Sequence, residues 1–231
     1  MVGPDMGIGN GAGPLTDADH KNQWTAAILV GGESKRMGRP KQWATIEGKP
    51  LVWHVASAVA RSALNVEELL VVGTSQFPQE ALPSSLAGKC RPVPDRVVGE
   101  GPLGGIVSAL EACRTPFAVV LACDMPFVSG LLLETLASAV SGPPAHECAI
   151  FKLEGVIQTL PAAFASCCVH ALEQTLEQRI LSLQEAYSKL DTVIQEPPAD
   201  SEPAMFLRVN TPQDLTVARQ IAKRRRPPGA C

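Results

Sequence analysis

Apolar runs of strand length alternate with amphipathic runs of helix length from residue 24 to residue 140, and no other feature of the sequence restricts the fold as tightly. WTAAILV (24–30), ELLVVG (68–73) and PFAVVLACD (116–124) are near-continuous apolar runs, the pattern of strands buried on both faces. KPLVWHVASAVARSA (49–63) puts Leu51, Val52, Val55 and Val59 on one helical face, and PLGGIVSALEAC (102–113) and SGLLLETLASAV (129–140) read as further helices. Strands joined through helices pair in parallel. The predicted fold class is therefore α/β: a doubly wound, mostly parallel sheet with helices on both faces, Rossmann-like and in one domain. In such sheets ligands gather at the carboxyl ends of the strands.

The remaining elements are less regular. CRPVP (90–94) is a weaker, edge-like strand, and ECAIFKLEGVIQTLPAAF (147–164) reads as two strands turning near Gly155. Helices are expected near 165–177 and 182–190, a last strand in MFLRVN (205–210), and a closing helix in TPQDLTVARQIAK (211–223) capped by Thr211. Residues 1–23 are rich in Gly, Pro and Asp and lack a cationic start and an apolar stretch, so they predict a disordered leader rather than a signal peptide. The folded domain is expected over 24–222 and a flexible basic tail over 223–231.

Composition narrows the function. A net charge of -3 gives no domain-wide basic field for nucleic acid. The longest apolar runs are too short to span a bilayer. Seven cysteines, an odd number with no C-x-x-C pair, predict reduced thiols in a cytoplasmic protein.

Apart from the basic tail, positive charge is concentrated in the stretch ILVGGESKRMGRPK (28–41), which carries Lys35, Arg36, Arg39 and Lys41. The connection from Val30 to the helix after Pro50 is far longer than a βα loop needs, which marks a binding loop or lid. Gly31 and Gly32 permit a nest of backbone N–H groups for an anion, Ser34 adds a hydroxyl, and Arg36 and Lys41 add charge for a polyphosphate. The P-loop pattern fails on spacing. GEGPLG (99–104) with Asp124 beyond it matches the dinucleotide fingerprint on paper, but Asp95 to Val98 separate it from its strand and Pro102 removes a donor. Asp124 closes the strongest strand, where a carboxylate would be wanted for Mg²⁺ or would simply cap the next turn. Asp95 follows Pro94 as a base-reading carboxylate or a plain turn residue, and Asn210 is a ligand or a helix cap.

LVGGESKRMGRPK resembles the signature loop of the molybdenum cofactor guanylyltransferase family and its cytidylyl relatives. GKPL (48–51), GPLGG (101–105), CDMP (123–126) and VNTPQDL (209–215) match in the same order, so the resemblance spans nearly the whole body of the chain. It implies a Mg²⁺-dependent nucleotidyltransferase that joins GMP from GTP to the phosphate of molybdopterin and releases pyrophosphate. It assigns the nucleotide to Leu29, Val30, Gly31, Gly32, Ser34, Lys41, Ser75, Asp95, Gly104 and Asp124, with Ser75 standing where the family carries an asparagine. Arg36, Lys41 and Asp124 are the implied catalytic residues, and Asp124 is the implied metal aspartate. Arg208, in place of a family asparagine, and Asn210 would face the acceptor. Proteins that deliver or receive the cofactor are the implied transient partners.

Three readings compete with the guanylyl one. MGRPK lacks an aspartate before its lysine, and Pro40 is closer to cytidylyl and sugar- or alditol-type enzymes. A nucleotide-binding regulator without catalysis would not need Lys41 and Asp124 together. A dehydrogenase would need the GEGPLG match to be genuine. His54, His146, His170, Cys167 and Cys168 lack partners at catalytic or metal spacing.

Overall fold

The structure, a computed structural model, describes residues 22–31, 37, 38, 40–96 and 99–225. Its main sheet has the order β5-β4-β1-β6-β8-β7-β9, where β1 is Gln23–Leu29, β4 Asn65–Val72, β5 Cys90–Val93, β6 Phe117–Ala122, β7 Cys148–Leu153, β8 Val156–Ala165 and β9 Thr192–Gln195. In this sheet β8 runs against the rest, since it is antiparallel to both β6 and β7 while the other pairings are parallel. A two-stranded ribbon, β2 (Thr45–Ile46) with β3 (Lys49–Pro50), stands apart. The helices among the described residues are α1 (Leu51–Arg61), α2 (Ser84–Ala87), α3 (Gly101–Ala112), α4 (Gly130–Ser141), α5 (Val169–Glu177), α6 (Leu183–Tyr187) and α7 (Pro212–Arg225).

The expected α/β class holds. Trp24 to Ile28 of β1 are wholly buried, odd and even positions alike, so both faces of the sheet are covered there. α1 packs with α4, and α3 packs with α5 and α6. Among the described residues no helix is long and apolar enough to cross a membrane.

Several boundaries differ from the sequence reading. β1 begins at Gln23, inside the expected leader. MFLRVN is not a strand: Pro203 starts a 3₁₀ turn through Phe206, and Leu207 to Asn210 join no ladder. Val209 instead gives its N–H to the Asp124 carbonyl at 2.8 Å, and its side chain is fully buried, so the segment crosses the end of β6 instead of lying beside it. The last strand is β9, whose TVIQ sequence carries no buried-strand pattern. α7 continues through Arg225, so residues 223–225 are helical rather than tail; Arg225 pairs with Glu202 at 2.6 Å and lies over the Phe127 ring. Residues 1–21 and 226–231 lie outside the described residues.

The described residues form two apolar clusters. The large one fills the sheet and its helices. The small one joins Ala44, Ile46, Leu51, Val209, Leu215 and Ala218, with Met37 and Phe127 packed on it. That second cluster fastens α7 to both the long first loop and the turn after β6.

Candidate active site

The carboxyl ends of β5, β4, β1 and β6 finish level with one another. Val30 donates its N–H to the Val72 carbonyl at 2.8 Å, Gly73 to Val93 at 2.8 Å, and Cys123 to Leu29 at 3.1 Å. Two glycines meet where these strands stop. A Cβ on Gly73 would stand 2.5 Å from the Gly31 nitrogen and 2.6 Å from its Cα, and Gly73 has φ +100. No other residue type satisfies both conditions. A Cβ on Gly31 would in turn meet Asp95 Oδ2 at 2.9 Å. Gly31, Gly73 and Asp95, from three neighbouring strand ends, thus form one floor. Partial burial pushes the Asp95 carboxyl above its ordinary pKa, because the charged form loses water there.

Lys41 opens a 3₁₀ turn, Lys41–Trp43, behind Pro40. Its ammonium lies 2.6 Å from Asp124 Oδ2 and 3.4 Å from Asn210 Oδ1. Three segments far apart in sequence therefore meet at one nitrogen. The turn is anchored by Trp43, which stacks on Phe77 of the β4–β5 connection with ring centroids 5.3 Å apart. Asn210 is anchored by Asp214, whose Oδ2 accepts the N–H of Asn210 at 3.0 Å and of Thr211 at 2.8 Å, while Thr211 Oγ1 accepts the Asp214 N–H at 3.1 Å. This reciprocal pair is a capping box at the start of α7.

Asp124 is 2% exposed, and its Oδ1 has no hydrogen-bond partner among the described residues. A buried carboxylate oxygen left unpartnered is costly in a purely structural role, but it suits a hard divalent cation that takes oxygen ligands. The residues present therefore fit a metal at Asp124, on its Oδ1 side. Among the described residues no group of three or more His, Cys, Asp and Glu side chains could hold an ion. One protein carboxylate, completed by phosphate oxygens and water, is a normal arrangement for magnesium.

The other predicted site residues are placed as follows. Val30 is buried, and Leu29 packs its side chain against Gly105, where an added Cβ would lie 3.3 Å from Leu29 Cδ2. Gly104 faces Glu100 instead: a Cβ there would meet Glu100 Cβ at 2.7 Å, so its missing side chain makes room for a neighbour at the start of its own helix. Ser75 is exposed on a bend closed by Thr74 Oγ1, which donates to the Gln76 carbonyl. Arg208 is half-buried and donates to the Leu160 carbonyl of β8 at 3.5 Å, its charge close enough to Tyr187 to act on it. Gly32, Ser34 and Arg36 lie outside the described residues. His54 Nε2 lies 3.0 Å from the Ile46 carbonyl, and burial holds the ring toward its neutral form.

Gly73, Trp43, Phe77, Gly105 and Asp214 were not singled out in the sequence. Of these, Asp214 had a readable signal, the T-x-x-D spacing of a capping box.

A cationic group, an unpartnered carboxylate oxygen and a glycine floor at converging strand ends can together place a nucleoside polyphosphate. Comparison with known proteins gives the family. The family described as "MobA-like NTP transferase domain" matches residues 26–193. A probable molybdenum cofactor guanylyltransferase of Natronomonas pharaonis is 34% identical over 206 residues, covering 85% of this chain and 96% of that protein. One from Pelotomaculum thermopropionicum is 31% identical over 211 residues, covering 88% and 96%. Among solved structures, molybdopterin-guanine dinucleotide biosynthesis protein A from Archaeoglobus fulgidus superposes with a TM-score of 0.68 at 26% identity, covering 87% of this chain and 99% of that one. A 2-C-methyl-D-erythritol 4-phosphate cytidylyltransferase from Thermus thermophilus shares the fold alone, at TM-score 0.62 and 18% identity over 86% of this chain and 98% of its own.

Proposed function

The chain belongs to the MobA-like NTP transferase family, and from that premise we propose that it transfers GMP from GTP to the phosphate of molybdopterin, with Mg²⁺ as the metal and pyrophosphate as the second product. The observation that carries this reading is the meeting of Lys41, Asp124 and Asn210 beside an unpartnered buried oxygen.

In this reaction an oxygen of the acceptor phosphate attacks the α-phosphorus of GTP, and the bond from that phosphorus to the departing pyrophosphate breaks. Little covalent work falls to the protein, so placement and charge neutralisation dominate. Bound at Asp124, a divalent ion would supply positive charge to the phosphate oxygens. Lys41 neutralises charge that develops on the leaving group, and Arg36 is assigned the same task from sequence. The backbone around Gly31, with Gly32 and Ser34, holds the phosphates, and Leu29 and Val30 contribute backbone contacts. Asp95, packed against Gly31, would accept the N–H edge of guanine. Asn210 and Arg208 would face the acceptor, and Arg208 would have to leave its contact with Leu160 to do so.

The cytidylyl reading rests on Pro40, which stands before Lys41 in place of the aspartate usual in the guanylyl enzymes. Incubation of the protein with molybdopterin, Mg²⁺ and each nucleoside triphosphate in turn separates the two. Pyrophosphate and a guanine dinucleotide from GTP alone are expected. Turnover with CTP and none with GTP would replace the guanylyl reading. The odd cysteine count supports a cytoplasmic enzyme on this reading, exchanging cofactor with transient protein partners.

A further inference from the structure

We propose that Lys41 is the resident counter-ion of the metal carboxylate, so that the divalent ion enters this site as its complex with the nucleoside triphosphate and not beforehand. The inference rests on the reading of Asp124 as the metal ligand.

Among the described residues the free protein offers a divalent ion very little. Asp124 is a single carboxylate, 3% exposed at its side chain, with Oδ2 already taken by the Lys41 ammonium at 2.6 Å. Its Oδ1 is what remains for another cation. The carboxylate of Asp214, on the Asn210 side, is occupied by the N–H groups of Asn210 and Thr211. Asp95 lies across the floor, against Gly31 and Gly73. With no multidentate cluster among the described residues, an ion approaching alone would meet one carboxylate whose charge is cancelled and a like charge beside it. Magnesium is also reluctant to give up water for a single ligand.

The triphosphate reverses both effects. Its oxygens fill the remaining coordination positions, and its negative charge gives the ammonium a further partner. Lys41 is suited to this exchange because its short charged contact to Asp124 is accompanied by a long one, 3.4 Å, to Asn210. Its side chain is 19% exposed, so it has an opening toward the cleft. The same residue then blocks the ion in the free enzyme and stabilises the polyphosphate in the complex. Such a device keeps Asp124 from being taken by ions that arrive without substrate.

The test is direct binding of Mn²⁺, followed by electron paramagnetic resonance, to the full chain without nucleotide. Lys41→Met keeps the apolar stem and removes the charge. It should bind Mn²⁺ alone at least about tenfold more tightly than the unaltered protein, the smaller end of what one neighbouring charge does to a carboxylate equilibrium. Lys41→Arg, which keeps the charge, should stay as weak as the unaltered protein. No gain in Lys41→Met overturns the proposal, as does equal tight binding by all three. Adding Asp124→Asn to Lys41→Met should abolish the gain. If the gain survives that change, the metal ligand is another residue, and the reading of Asp124 fails instead.

Discussion

Two buried carboxylates sit at opposite ends of the same sheet, and they are treated in opposite ways. Glu68, near the start of β4, is 9% exposed and fully occupied. Its Oε1 accepts from the Thr25 hydroxyl at 3.0 Å and the Arg114 N–H at 2.9 Å, and its Oε2 accepts from Arg91 at 2.9 Å. Thr115 extends the network through a 2.7 Å contact with Thr25. Asp124, just beyond β6, is more deeply buried and less satisfied, with one ammonium and an oxygen that has no partner among the described residues. Burial alone does not distinguish the two. What differs is whether the folded chain completes the group, as it does at the amino ends of the strands, or leaves it for something that arrives later, as at the carboxyl ends. Buried polar groups are rarely left incomplete without a reason of that kind.

The largest expected effect comes from removing the incomplete carboxylate. Asp124→Ala should reduce pyrophosphate release by about 10²–10³-fold, the range seen when one charge-stabilising group is lost from a reacting site. Its melting temperature should hold within a few degrees, because Lys41 keeps its contact with Asn210 and its opening to solvent. A collapse of the fold with no soluble protein would mean that Asp124 is as structural as Glu68. Glu68→Ala reverses the balance. It strips partners from Thr25, Arg91 and the Arg114 N–H at once, and should cost about 3 kcal/mol. For a chain of this size that corresponds to a melting temperature lower by roughly 6–12 °C. Turnover measured well below the transition should be unchanged.

The sheet was readable because strands covered on both faces carry near-continuous apolar runs, and β1, β4 and β6 each contain one. The same rule misled at MFLRVN. Phe206 and Val209 are buried, but in crossing the end of β6 and packing into the apolar clusters there, not in a ladder. TVIQ went unread for the converse reason: as the outer strand on β7 it has one hydrogen-bonded neighbour and no fully buried position. At the site, Lys41, Asp124 and Asn210 were legible one by one, through charge, strand end and motif. Their convergence was not, because it depends on where the segment before α7 crosses the end of β6. Gly73 was passed over for a similar reason. Its need to be glycine comes from backbone contact with Gly31, which follows another strand and leaves no local pattern. Gly104, assigned to the nucleotide by resemblance, has its open side toward Glu100, and it is Gly105 that approaches Leu29 of β1.

Asp214 sharpens the comparison at an intermediate scale, since its carboxylate is occupied yet lies on the Asn210 side of the candidate site. Asp214→Ala removes a helix cap, worth about 1 kcal/mol, and releases the Asn210 backbone. Turnover should fall by more than the lost stability explains, because Asn210 is one of the groups that hold Lys41. Asp214→Asn, which keeps an acceptor for the two N–H groups, should recover most of both. If turnover and stability in Asp214→Ala fell only in step, the cap would be structural alone, as Glu68 is.

Asp95 gives the smallest and most specific effect. It lies, like Asp124, at the carboxyl ends of the strands, and burial raises its pKa above the ordinary 3.8. The sign for binding is fixed by its proposed task. The ionised carboxylate accepts the guanine N–H edge, so KM for GTP should rise as pH falls through the raised pKa, at a pH above that of an ordinary aspartate. Asp95→Asn should start from a higher KM and lose this acid limb. The sign for stability is opposite to that of a salt-bridged acid. Where the folded pKa is the higher one, the native state binds more protons than the unfolded state between the two values, and stability declines as pH rises through that window. At neutral pH the ionised Asp95 is therefore a mild burden on the fold, and Asp95→Asn should melt at the same temperature or slightly higher. A clear loss of stability in that variant would show that Asp95 holds the glycine floor together, and would move it from the company of Asp124 to that of Glu68.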